Sequence, residues 1–120
     1  MATYKDLTVY KKAFQLAMEI FELTKRFPPE EKFSLTDQIR RSSRSVCTNF
    51  AEAYRKRRYP AHFTSKLSDA EMENTETEVW LDFAISCKYI VQEEYDKLFR
   101  LNTEVGKLLW HVINNPDKYL

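Results

Sequence analysis

The chain has 120 residues, 43% hydrophobic, 14% aromatic and 31% charged, with a formal net charge of +1 at pH 7. That suits one compact domain with its own core, too small for a two-domain enzyme and too apolar for disorder. One glycine, Gly106, and four prolines leave little for hairpins or phosphate-cradling loops, which excludes most β-rich and nucleotide-binding folds and points to an all-α protein.

The first helix is expected over about residues 6–27, where Val9, Ala13, Leu16, Ile20, Leu23 and Phe27 recur at alternating steps of four and three, a seam of coiled-coil type. Tyr10, Phe14, Ala17 and Phe21 form a second row beside it, so a wide face should be buried. Pro28 and Pro29 stop the helix. Ser34, three residues before Asp37, reads as the cap of a second helix over about 35–57, its hydroxyl accepting from a free backbone N–H. The seam there is Leu35, Ile39, Ser42, Val46, Asn49 and Ala53, and its polar members need partners.

Pro60 suits the first position of a third helix, about 60–89, with Phe63, Leu67, Ala70, Asn74, Thr77, Leu81 and Ala84 along its seam. The last helix, about 94–114, carries Leu98, Leu101, Val105, Leu108 and Val112 up to Pro116. Four helices with short links predict an antiparallel up-down bundle.

Charge is distributed unevenly along this frame. Between Arg40 and Arg58, seven basic residues, Arg40, Arg41, Arg44, Arg55, Lys56, Arg57 and Arg58, stand against a single acid, Glu52. At about 100° per residue, most of this charge points away from the seam, where it could meet phosphate; a solvated face with ordinary helix C-terminal cations is the alternative. The third helix is the reverse, with Asp69, Glu71, Glu73, Glu76, Glu78 and Asp82 and no base between them. Pairing between the two helices would neutralise part of both sets.

A polar stripe of Gln38, Arg41, Ser42, Ser45, Asn49 and Glu52 flanks the second seam. It reads as a hydrogen-bonded packing network with Glu73 and Glu76 as partners for Arg41. Met72, Val79 and Phe83, with Trp80 nearby, make a second apolar row on the third helix, which another subunit would cover.

Nothing in the pattern builds an active site. His62 and His111 lack the Glu-x-x-His spacing of a di-iron bundle and have no adjacent acid or thiol partner. Acids two apart on a helix, such as Glu71 and Glu73, diverge by about 200° and cannot share a substrate. No metal, cofactor or catalytic residue is expected. Cys47 and Cys87, far apart and without Cys-x-x-Cys spacing, are expected as reduced, half-buried filler. No apolar run reaches the roughly 18 residues of a membrane span, and the first residues lack a secretory stretch, so a cytoplasmic protein is expected.

Asp6-Leu7 leading to Val9-Tyr10-Lys11-Lys12-Ala13, Phe27-Pro28, Phe33 through Ser42, Ser45-Val46 and Asn49-Phe50-Ala51-Glu52-Ala53 together resemble the 23S rRNA intervening-sequence proteins, a family of small bacterial four-helix bundles. Phe63, Leu67, Ala70, Glu73, Glu76, Leu81, Ala84, Tyr89-Ile90 and Glu94-Tyr95 extend the likeness over nearly the whole chain. The resemblance implies a ring-like homopentamer. The family is more distantly similar to the accessory variability protein of diversity-generating retroelements, a basic pentameric barrel that binds nucleic acid and a reverse transcriptase. The expected function is therefore a non-enzymatic oligomer touching RNA or DNA phosphates through Arg40, Arg44, Arg55, Lys56, Arg57 and Arg58. The rival expectation is a scaffold for a protein partner, its basic and acidic helices paired within the oligomer.

Overall fold

The apolar seams become four helices in a computed structural model describing residues 2–119: α1 (Thr8–Thr24), α2 (Leu35–Arg55), α3 (Pro60–Ser86) and α4 (Gln92–Asn114), with 3-10 turns at Tyr4–Asp6, Pro29–Glu31 and Pro116–Lys118. No strand occurs among the described residues. The fold is an all-α four-helix bundle.

Local chemistry moves the helix ends from where spacing alone puts them. α1 stops at Thr24, short of Phe27, where the backbone changes to tighter bonds three residues back (Lys25 N–H to Glu22 O, Arg26 N–H to Leu23 O, Phe27 N–H to Thr24 O) and the Thr24 hydroxyl donates to the carbonyls of Ile20 (2.8 Å) and Phe21 (3.1 Å). The residue before Pro28 is also pushed off helical geometry. At the start of α2 the expected Ser34 cap is replaced. The Ser34 hydroxyl makes no bond to a helix N–H; it donates to Glu31, whose carboxylate also accepts the Leu35 N–H at 3.2 Å. A carboxylate at this helix end is favourable, since it meets unpaired N–H groups and the positive dipole end together.

α2 ends at Arg55 and α3 begins on Pro60. α3 closes at Ser86 because Lys88 turns left-handed (φ 63). The Tyr89 N–H then reaches back to Ala84 O and the Lys88 N–H to Ile85 O, each at 3.0 Å, the closing pattern usually built on glycine. α4 starts at Gln92, earlier than expected, because the Glu94 carboxylate accepts the Val91 N–H at 2.9 Å and so caps from inside the first turn.

α1 packs against α2 and α4, and α3 packs against the same two, which sets α1 diagonal to α3 and α2 diagonal to α4. The core between them includes Leu16, Ile20, Ile39, Phe50, Phe63, Leu67, Leu81 and Val105. In α4 the seam passes through Leu109, fully buried, while Leu108 is only half-buried. The second row of α1 is not uniformly covered: Ala17 is buried but Phe14 is 50% exposed. Phe27, Leu35, Ala84 and Ile90 form a smaller cluster.

Candidate nucleic-acid interface

Small side chains at Ser42 and Ser45 let α2 approach α3 closely, and the polar groups brought together there find partners. The buried Ser42 and Thr77 hydroxyls lie 2.8 Å apart, and Thr77 donates to Glu73 O at 2.9 Å. Arg41 reaches Glu76 at 3.2 Å and Glu73 at 3.7 Å, with Gln38 at 3.4 Å. Asn49 donates to Ser45 O at 3.0 Å, while Lys66 spans to Asn49 and, at 2.6 Å, to Glu52. Glu73 is strained electrostatically: its Oε2 is buried without a hydrogen-bond partner. Burial first, then the neighbouring Glu76 charge, push its carboxyl above the usual range against the pull of Arg41.

A second polar pair joins α3 to α4. Asn74 Nδ2 donates to Asn102 O (3.0 Å) and Oδ1 (2.9 Å), and Asn102 returns a bond to Asn74 O (3.1 Å). Gly106 makes room for it, since a Cβ there would stand 2.7 Å from Asn74 Oδ1. Sequence reasoning missed this pair, although a lone glycine inside a helix was the available signal.

The seven basic positions of α2 and its exit separate into three kinds. Arg41 is neutralised by the acidic helix. Arg40 and Arg57 are built into the fold: Arg40 donates to Thr24 Oγ1 (2.7 Å) with its guanidinium 4.9 Å above the Phe21 ring. Arg57 donates to Tyr54 O (2.7 Å) and Tyr119 O (3.3 Å) and stacks 3.6 Å over Tyr54. Arg44, Arg55, Lys56 and Arg58 are exposed and form no ion pair among the described residues. Pairing between basic α2 and acidic α3 is thus confined to Arg41, and the Glu52–Lys66 contact runs with the opposite polarity.

On α3, Met72, Val79 and Phe83 stand exposed in one row. Trp80 is half-buried against the core, with its indole Nε1 buried and unpaired. A groove of about 700 Å³ between α1 and α4 is lined by Phe14, Met18, Leu23 and Leu98, rimmed by the Lys97–Glu19 (3.0 Å) and Arg26–Glu94 (2.6 Å) pairs.

The cysteines differ from the half-buried expectation: Cys47 is buried, its thiol pushed up to about 11 by desolvation, and Cys87 is exposed. His62 and His111 are both exposed. No three metal-ligating side chains cluster among the described residues, and no helix there is long and apolar enough to cross a membrane.

A sequence model for the 23S rRNA-intervening sequence protein matches residues 5–111. The chain belongs to that family. A similar family fold is the crystal structure of a protein of unknown function from the S23 ribosomal protein family of Bacteroides thetaiotaomicron VPI-5482. It is 34% identical with a TM-score of 0.81, the match covering 88% of this chain and 98% of that one. No curated protein matches the sequence. The intervening-sequence family and this structural relative together account for the four-helix frame, and neither carries an assigned activity.

Proposed function

We propose that this family member is a non-enzymatic, cytoplasmic homo-oligomer whose second helix contacts RNA or DNA through phosphates. The observation that carries the reading is the set of four exposed cations, Arg44, Arg55, Lys56 and Arg58, without acidic partners among the described residues. Cations of this kind neutralise phosphate and release condensed counterions without reading base sequence. Arg40 and Arg57, held by bonds inside the chain, serve the fold and leave the contact to the other four.

The helices are taken as antiparallel and up-down, a reading supported by partner order: Arg41 meets Glu76 whereas Glu52 meets Lys66, and Lys12 meets Glu104 whereas Arg26 meets Glu94. Oligomerisation is supported by two uncovered apolar surfaces, the Met72–Val79–Phe83 row of α3 and the groove between α1 and α4. Two unlike surfaces suit head-to-tail contacts, which give a ring when the rotation between neighbours closes, in keeping with a pentamer.

The test is light scattering with titration of a mixed RNA and DNA fragment at low and high salt. A pentamer that binds, and releases as salt rises, is the expected result. Arg44→Glu with Arg55→Glu should abolish binding while leaving the assembly intact; unchanged affinity refutes the proposal. The scaffold reading has one observation in its favour, the Arg41–Glu73–Glu76 cluster, and predicts that the same reversals break the assembly.

A further inference from the structure

At the start of α2, next to the free Arg44, lies a cleft of about 600 Å³ with an aromatic side chain at its mouth. Phe33 is 85% exposed, the most exposed of the chain's large apolar side chains among the described residues. Burying a phenylalanine is among the largest hydrophobic gains available to a small domain, and this ring, bordering the pocket of Trp80 and Phe83 at one side, realises little of that gain. Lys32 holds its ammonium 5.3 Å from the ring centroid.

The cleft's charge is predominantly positive. Lys32, Arg40, Arg41 and Arg44 line it, opposed by the single carboxylate of Asp37. Arg41 is neutralised from outside by Glu73 and Glu76. Arg40 is not: its hydrogen bonds run to a hydroxyl and a carbonyl, so its position is fixed while its charge stays uncompensated. Lys32 and Arg44 have no acidic partner among the described residues, and Ser45 and Thr48 add hydroxyls along the wall.

A flat apolar ring beside cations is what an unpaired nucleotide needs, with a face for the base and charge for the adjoining phosphate. In a duplex both faces of each base are already stacked, and Phe33 would have nothing to receive. We propose that this cleft takes one unpaired nucleotide of a single-stranded nucleic acid, its base on Phe33 and its phosphate between Lys32 and Arg44. The proposal deepens the phosphate-binding reading above and rests on it: the exposed cations hold either strand form, and Phe33 makes the protein prefer unpaired segments.

The experiment titrates the assembled protein with a fluorescein-labelled oligothymidylate strand and with a mixed-sequence duplex of equal length, over a series of salt concentrations. Phe33→Ala should weaken single-strand binding by about 5- to 150-fold, the span of base–aromatic stacking, and leave duplex binding unchanged. Its salt slope should stay at the wild-type value, because no phosphate contact is lost, whereas Arg44→Ala should reduce the single-strand slope by about 0.7. Phe33→Trp should keep the affinity and show indole quenching by the strand but not the duplex. If the wild type binds both forms and Phe33→Ala alters neither, the stacking site is refuted while phosphate binding stands. If the wild type binds neither, both readings fall. If Phe33→Ala lowers the assembly's mass by light scattering, Phe33 is a subunit contact and the proposal is overturned.

Discussion

Replacing Gly106 with alanine should destabilise this protein, although the same change inside an ordinary helix stabilises by about 1 kcal/mol. The new Cβ would stand 2.7 Å from Asn74 Oδ1, closer than atoms tolerate, so the Asn74 amide must move. That amide holds the Asn102 backbone carbonyl and side-chain oxygen at 3.0 and 2.9 Å, bonds worth about 0.5–1.5 kcal/mol each. Asn102 is 2% exposed, so its oxygen would lose a partner out of reach of water, at a cost of about 1–3 kcal/mol. One lost bond and one unsatisfied oxygen together cost about 1.5–4.5 kcal/mol, so against the propensity gain of about 1 kcal/mol the net is about 0.5–3.5 kcal/mol. At about 2.1 cal/mol/K of unfolding entropy per residue, each kcal/mol lowers the melting midpoint by about 4 °C, giving about 2–14 °C for Gly106→Ala. Far-ultraviolet circular dichroism on heating measures it. With Asn74→Ala already in place the obstacle is gone, and Gly106→Ala should regain its ordinary stabilising sign. A raised midpoint for Gly106→Ala alone refutes the steric account.

Two further outcomes follow from side-chain placement. Arg40→Met should cost about 1–3 kcal/mol in urea unfolding, losing the charged bond to Thr24 and the contact with the Phe21 ring. Arg44→Met, on an exposed side chain that loses only its 5.6 Å contact with the same ring and no hydrogen bond, should cost no more than about 1 kcal/mol; equal losses would show that the Arg40 bond to Thr24 is not structural. For Glu73 the folded carboxyl titrates above its ordinary 4.5, so the native state binds a proton that the unfolded chain still lacks. Its contribution to stability therefore rises as pH falls through the raised value toward 4.5, and is constant below. The difference in unfolding free energy between wild type and Glu73→Gln should move in the wild type's favour over that window. A difference moving the other way contradicts the direction assigned to this group.

The parts of the molecule legible from sequence are those set by repetition along one helix. Val9, Ala13, Leu16 and Ile20 in α1, or Phe63, Leu67 and Ala70 in α3, carry their burial in their spacing, and proline marks where α3 begins. The Arg41 partners were legible too, because an acidic helix follows a basic one with few candidates between. Contacts that depend on the rotation and register of two helices were not. Nothing local distinguishes Arg40 from Arg44, and both guanidiniums lie over the Phe21 ring, yet only Arg40 is hydrogen-bonded to the end of α1 while Arg44 is exposed. Asn74 and Asn102 lie 28 residues apart, and only the packing of α3 on α4 makes them partners. Helix ends failed where an unconventional residue did the work: Glu31 caps α2 from outside the helix, and Lys88 takes a conformation that glycine usually supplies.

The cyclic order of the helices bears on how the chain finds its fold. Three of the four interfaces join helices consecutive in sequence, and only α1 with α4 brings distant segments together. A mostly local wiring of this kind has low contact order and belongs with the fast-folding helical proteins. The entropy of closing a long loop falls on one seam, whose rim is held by Lys12–Glu104, Lys97–Glu19 and Arg26–Glu94. Exposed ion pairs add little to equilibrium stability. On the last seam to close, they favour one register of approach over its neighbours.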